Sequence, residues 1–119
     1  VMIADDQERL RAALRLLIQQ EPGFEVVAEV NTPEETLKSA QALQPDMVLL
    51  DWELDGAHTP VLAAAVRALP CAPLVLALSS QPEAEEAALA AGADGFISKG
   101  NPPECVRQTL RETSHRARR

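Results

Sequence analysis

An open α/β sheet of five parallel strands, with helices packed on both faces, is the fold class that this sequence predicts. Three observations predict it. Short apolar runs alternate with amphipathic stretches along the whole chain, the pattern of parallel strands joined by crossover helices. The run Met47-Val48-Leu49-Leu50 contains no polar residue, as a strand covered on both faces requires. Four of the runs then end on residues of a chemical kind: Asp5-Asp6, Asp51, Ser79-Ser80 and Lys99.

The elements follow in order. The first strand reads as Val1–Ala4. A helix near Gln7–Gln20 carries Leu10, Ala13, Leu14, Leu17 and Ile18 at helical spacing, and Pro22-Gly23 stops it. In Phe24–Val30, Phe24, Val26, Ala28 and Val30 alternate against Glu25, Val27 and Glu29, which reads as a strand. Asn31 or Thr32 is placed to cap the next helix, with Pro33 at its first position. That helix runs to about Leu43, where Gln44-Pro45 ends it. The third strand spans 46–50. An alanine-rich helix spans Pro60–Leu69 and is closed by Pro70. Leu74–Leu78 is the fourth strand. Ser80 is expected to cap a helix that starts near Pro82 and ends at Gly92. Asp94–Ser98 is the last strand, and Pro102-Pro103 opens a final helix through about Thr113. Right-handed crossovers on both faces permit the strand order 2-1-3-4-5, a flavodoxin-like (βα)5 three-layer sandwich. That order puts strands 1 and 3 side by side at the switch point, where ligands bind outside the carboxyl ends of the strands.

If the strands are parallel neighbours, Asp5, Asp6, Asp51, Ser79 and Lys99 converge there. Three crowded carboxylates repel one another, so either one stays protonated or a cation sits between them. Oxygen ligands suit a hard divalent ion, and Mg2+ is commonly shared with phosphate. A lysine opposite the cluster suits a phosphoryl oxygen, and a serine hydroxyl can donate to the same group. A carboxylate can itself be the nucleophile and form an acyl phosphate. The chemistry suggested is phosphoryl transfer onto Asp51, with Mg2+ and Lys99 neutralising charge.

Taken singly, each residue has a plainer reading. Asp5-Asp6 can be a helix N-cap, Asp51 a soluble strand end, Lys99 a surface lysine and Phe96 an ordinary edge-strand residue. Gly92 and Gly95 read as backbone punctuation. His58 and His115 join no acid–base set, and Trp52 reads as surface packing. Only the convergence of four strand ends favours a site.

The ordered set Asp5-Asp6, Asp51, Ser79, Lys99, with the segments "VMIADDQERLRAALRLLI", "PDMVLLDWEL" and "AGADGFISKG", resembles the receiver domain of two-component response regulators. It most resembles the branch that often carries a LuxR-type helix-turn-helix. The resemblance implies that Asp51 is the phosphoacceptor. It implies that Asp6 binds Mg2+ directly, that Asp5 helps through water, and that the backbone carbonyl of Glu53 supplies a further ligand. Ser79 would hydrogen-bond the phosphoryl group, with Ser80 competing for that role, and Lys99 would pair with it. Phe96 matches the aromatic switch position, whose ring turns inward when the hydroxyl residue moves toward the phosphate. The sequence departs from the pattern at Asp55, where relatives usually have proline, and at Gly100, where many do. The stretch from Ser79 to Gly92 is about two residues shorter than usual. Glu53 brings another carboxylate near the site.

Composition bounds the rest. One domain accounts for all 119 residues. With aromatics at only 3%, the core must be Leu, Val, Ile and Ala. No apolar run approaches a membrane span and no signal peptide is visible, so a cytoplasmic protein is expected, with Cys71 and Cys105 as reduced thiols. Residues 1–106 carry six Lys/Arg against seventeen Asp/Glu, and residues 107–119 five Arg against one Glu. The acidic body argues against direct nucleic-acid binding by this domain. The basic end, with its tail at about 114–119, reads as a complement to a helix C-terminus leading into a linker; contact with DNA or an acidic partner is the alternative.

The function expected is a phosphorylation-controlled switch. A sensor histidine kinase is the donor, and Asp51 is modified by self-catalysed transfer. The surface of helix 4, strand 5 and helix 5, including Ala84–Ala91 and Phe96–Gly100, then forms a homodimer or grips an output partner. Transcription would be controlled through an output domain absent from this chain. The first strand is already under way at Val1, so preceding residues are expected. One alternative is a phosphorylation-independent interaction module with the same fold, motivated by Glu53, Asp55 and the short loop. Another is a small phosphohydrolase. "DWELD" spaces its aspartates four apart, however, where hydrolases of the haloacid dehalogenase type space them two apart, and no cap segment selects a substrate.

Overall fold

A computed structural model describes residues 1–54, 56 and 58–117. Asp55, Arg118 and Arg119 lie outside the described residues, so the departure at position 55 and the end of the basic tail have no structural counterpart here. The elements are β1 (Met2–Ala4), α1 (Glu8–Gln19), β2 (Ala28–Val30), α2 (Pro33–Leu43), β3 (Met47–Asp51), α3 (Thr59–Arg67), β4 (Leu74–Ser79), α4 (Glu85–Ala90), β5 (Gly95–Ser98) and α5 (Pro103–Ala117). All strand pairs are parallel and the order is β2-β1-β3-β4-β5, as expected from right-handed crossovers.

Strand alternation divides the core into two layers. Met2, Ala4, Val48, Leu50 and Val75 face α2 and α3, where Ala40, Ala63 and Val66 meet them. Ile3, Met47, Leu49, Leu76, Leu78 and Ile97 face α1 and α5, against Leu14, Ile18, Val106 and Leu110. A smaller patch of Ala77, Ala88 and Ala93 lies under α4. Both faces of β3 are therefore covered, which is why its sequence is continuously apolar. Gly95 marks the tightest approach of α5 to the sheet: a Cβ there would collide with Leu76 and Thr113.

Most helix signals operate as read. Thr32 caps α2 by accepting the Glu35 N–H, with Pro33 at the first position, and Gln44 closes it in the left-handed conformation at φ 49°. Several boundaries differ, and α3 ends two residues short of the expected Leu69. The second strand is only Ala28–Val30, because the turn at Glu21–Phe24 sends Phe24 and Val26 into the α1/α5 core instead of along the sheet. Ser80 does not cap the fourth helix. A 3-10 turn at Pro82–Ala84 leads into α4, Gln81 stands at its cap position, and the Gln81 N–H is taken by the Ser79 hydroxyl at 2.9 Å. The fifth helix continues one turn past Thr113, because Thr113 is buried against the sheet and keeps the helix docked. Asp51 and Ser79 are the last residues of β3 and β4 and do not lie beyond them.

Candidate functional site

The register aligns the chemical residues. Met2, Ile3 and Ala4 pair with Val48, Leu49 and Leu50, so Asp5 and Asp51 come next on adjacent strands. Each strand end is extended by one more backbone bond: Asp5 N–H to Val30 at 3.1 Å, Trp52 N–H to Leu78 at 2.7 Å, and Lys99 N–H to Ser79 at 2.8 Å. The backbones of the site are thus part of the rigid sheet, which is what precise chemistry needs.

The ammonium of Lys99 lies 3.0 Å from Asp5 Oδ2 and 3.1 Å from Asp51 Oδ1. Its Nζ also donates to Gln7 Oε1 at 3.4 Å. Asp5 and Asp51 are buried, whereas Asp6 is exposed. Asp51 Oδ1 accepts the backbone N–H of Glu53 at 3.0 Å, and Asp5 Oδ1 accepts that of Gln7 at 2.8 Å. Asp5 Oδ2 is different. It is buried and close to the ammonium but receives no hydrogen bond. One cation is shared between two buried carboxylates, so positive charge is in deficit there.

Burial pushes the Asp51 carboxyl above the usual carboxylate range, and the charge of Asp5 adds to this; the Glu53 N–H and Lys99 pull the other way without prevailing. Burial disfavours the charged form of Lys99, yet its close contacts with the Asp5 and Asp51 carboxylates raise its pKa above the ordinary lysine value. Lys99 stays charged at neutral pH.

Ligand atoms of Asp5, Asp6 and Asp51 all lie within 4.8 Å of one another. Three carboxylates at this spacing, one with a buried oxygen that makes an ion pair but no hydrogen bond, fit a hard divalent cation with oxygen ligands. Ser79 is fully buried; its Oγ donates to Glu53 Oε2 at 2.7 Å and lies 3.2 Å from the Gln81 carbonyl. Ser80 is exposed at the next position. Of the two serines, Ser79 therefore occupies the ordered place at the end of β4. Phe96 is half-buried on the α4 side of β5, packed against the Ala77, Ala88 and Ala93 patch.

Three participants escaped the sequence reading. Gln7 contacts both Asp5 and Lys99, signalled only by its place after the aspartate pair. The sequence brings the Glu53 carboxylate near the site, and the resemblance points to its carbonyl, but neither anticipates the crossing of its side chain to Ser79 and Ser80. Thr59 is buried and donates to the Trp52 carbonyl at 2.9 Å, tying the loop after β3 to α3. Trp52 itself packs against the cores on the α2/α3 side and under α4, which modifies the expectation of mere surface packing. His58 precedes α3 and makes no side-chain cap bond. Cys71 and Cys105 are free thiols.

Comparison with known proteins agrees with this geometry. The family model described as response regulator receiver domain matches residues 1–111. The nitrate/nitrite response regulator protein NarP of Escherichia coli is 32% identical over 93% of this chain and 53% of its own length. The transcriptional regulatory protein DesR of Bacillus subtilis is 28% identical over 93% of this chain and 56% of its own. The chain thus spans about half the length of these curated relatives. Among solved structures, a two-component response regulator of the LuxR family from Aurantimonas sp. superposes with a TM-score of 0.83 at 28% identity, covering 93% of this chain and 81% of that one. A DNA-binding response regulator of the LuxR family from Staphylococcus aureus gives 0.82 at 25% identity, covering 94% and 95%.

Proposed function

The chain belongs to the response regulator receiver-domain family, in its NarL/LuxR branch, and we propose that it is switched by phosphorylation of Asp51. The observation that carries this is the Lys99 ammonium held between Asp5 and Asp51 at the open end of the sheet. Asp51 is the phosphoacceptor. One of its carboxylate oxygens attacks phosphorus, the bond from phosphorus to the donor breaks, and the donor leaves with that electron pair. Lys99 holds a phosphoryl oxygen as charge gathers on it. The Asp5, Asp6 and Asp51 carboxylates, with the Glu53 carbonyl, are the residues that would hold Mg2+. When bound, that ion supplies neutralisation of the transferring group. Raising the Asp51 pKa keeps its carboxylate basic, and therefore nucleophilic, while Lys99 and a cation offset its charge.

Under this reading the phosphoryl donor is the phosphohistidine of a sensor histidine kinase in the cytoplasm. Transfer and later hydrolysis are catalysed by the receiver's own residues. Ser79 turns to the phosphoryl group, Phe96 follows, and the face of α4, β5 and α5 changes its affinity for a second copy or an output domain. Residues 1–119 act as a single receiver unit that binds no nucleic acid, and the basic tail begins a linker. Transcription is the output that the relatives' names support. A phosphorylation-independent interaction module is the second reading, favoured by the engagement of Ser79 with Glu53.

Intact mass after incubation with Mg2+ and acetyl phosphate or phosphoramidate tests the proposal. One added phosphoryl group is expected, absent from Asp51→Asn and absent without Mg2+. No gain from either donor or from a histidine kinase, in folded protein, selects the phosphorylation-independent module.

A further inference from the structure

Glu53 bridges the acceptor and the switch. Its backbone N–H bonds Asp51 Oδ1 at 3.0 Å. Its side chain turns the other way, to the end of β4. There Oε2 accepts from the Ser79 hydroxyl at 2.7 Å, and Oε1 accepts from the Ser80 N–H at 3.1 Å and the Ser80 hydroxyl at 3.2 Å. Three donors converge on a carboxylate whose residue is otherwise exposed. An exposed glutamate side chain gains little from an isolated surface contact. A carboxylate that engages a buried hydroxyl and a main-chain amide forms charge-assisted bonds of a stronger class. A hydroxyl beside a backbone N–H is also an anion-binding pair in its own right. Here that pair is already filled, by an anion built into the chain.

We propose that Glu53 is an internal anionic latch, holding the Ser79 hydroxyl and the Ser80 amide in the unmodified protein so that a phosphoryl group on Asp51 must displace it. The inference rests on the proposed function and adds a threshold to it. Ser79 cannot donate one proton to two anions at once. The state in which it faces Asp51 therefore forfeits its bond to Glu53. A partner or modification that draws Glu53 away lowers the threshold, and one that seals the loop raises it.

Trp52, the one tryptophan of the chain, adjoins Asp51 and reports the test by fluorescence. Wild type, Glu53→Gln and Glu53→Asp are titrated with beryllofluoride, a phosphoryl mimic, at saturating Mg2+. Gln removes the charge. Asp keeps the charge but is one methylene too short to span to β4. The latch predicts that both variants bind about tenfold more tightly than wild type, the scale of losing charge-assisted bonds. In metal-free protein, both are expected to move the Ser80 amide proton upfield as its charged acceptor departs. Tighter binding by Glu53→Gln alone assigns the effect to charge repulsion and overturns the latch. Unchanged or weaker binding by both variants, with wild type binding and taking up phosphate on Asp51, also overturns it. If no protein binds beryllofluoride and none gains a phosphoryl group, the proposed function falls and the latch falls with it.

Discussion

Two clusters of buried charge sit at opposite ends of α1, and they are built on opposite principles. Just past its C-terminus, the buried Glu21 carboxylate is held by two cations of α5: Oε2 by Arg107 Nε at 2.8 Å and Oε1 by Arg111 Nη1 at 3.1 Å. Just before its N-terminus, one ammonium faces Asp5 and Asp51, with Asp6 alongside, and Asp5 Oδ2 is left without a hydrogen bond. The pKa directions follow. The hydrogen bond from Arg107 leads in holding Glu21 below the usual carboxylate range, whereas burial leads in pushing Asp51 above it. The first cluster is complete and works as a strut between α1 and α5. The second is short of positive charge, so the fold carries an electrostatic cost that a bound cation or protonation of a carboxylate relieves.

The comparison breaks most visibly on phosphoryl transfer. Lys99→Ala removes the ammonium held between Asp5 and Asp51 and is expected to slow uptake from acetyl phosphate about 100-fold, the scale for deleting a group that stabilises developing charge. Glu21→Gln, in the closed cluster, is expected to stay within about twofold of wild type. Timed intact-mass measurements on both variants decide it. An equal loss in both would mean that the α1–α5 strut is itself part of the catalytic arrangement.

Stability separates the clusters by sign. In metal-free buffer at neutral pH, Glu21→Gln leaves two guanidinium groups facing a neutral amide and is expected to lower Tm by several degrees. Asp51→Asn removes a carboxylate whose ionisation opposes folding, so Tm should hold or rise. The pH dependence carries the same signs. Glu21 has a depressed folded pKa. Its contribution is complete above the ordinary glutamate value of 4.5 and is lost as pH falls through the lower folded value. Asp51 has a raised folded pKa. Stability falls as pH climbs from the ordinary value of 3.8 through the folded one, and the cost then stays constant. Thermal melts of the three proteins between acid and neutral pH should therefore show Glu21→Gln losing less than wild type on acidification. A matching fall of Tm in Asp51→Asn at neutral pH would contradict the account of the open cluster.

The two clusters also differ in how readable they were. Asp5, Asp51, Ser79 and Lys99 each follow an apolar run, so strand ends and a parallel topology were enough to bring them together. Nothing comparable marks Glu21. It sits in a Pro-Gly turn and its partners lie 86 and 90 residues away on a helix face, where arginines read as a solvated surface. The second strand is shorter than its alternation predicts, because Phe24 and Val26 pack into the helical layer. Ser80 reads as a cap because a serine shortly before a helix start near Pro82 is a common signal, yet the hydroxyl that bonds a backbone N–H there belongs to Ser79. The course of a turn or loop decides each of these cases, and period and spacing inside the regular elements do not report it. Glu53 is the sharpest instance. Its position beside Asp51 was evident, while its reach to β4 depends on the loop's course.

The smallest expected effect concerns Gln7, which touches the open cluster in two ways. Its backbone N–H bonds Asp5 Oδ1 at 2.8 Å, a contact that any residue except proline retains. Its side-chain carbonyl accepts from Lys99 at 3.4 Å, at the outer limit of a hydrogen bond and partly in solvent. A neutral acceptor at that distance cannot rival two carboxylates near 3 Å for the same ammonium. Gln7→Ala should therefore change stability by about 0.5 kcal/mol or less and phosphoryl uptake by about twofold or less. Melts and timed intact-mass measurements check both. A tenfold loss of uptake with an unchanged Tm would mean that the orientation of Lys99, and not its charge alone, limits the reaction. The open cluster would then depend on geometry as strictly as the closed one does, and the distinction between them would rest on charge balance only.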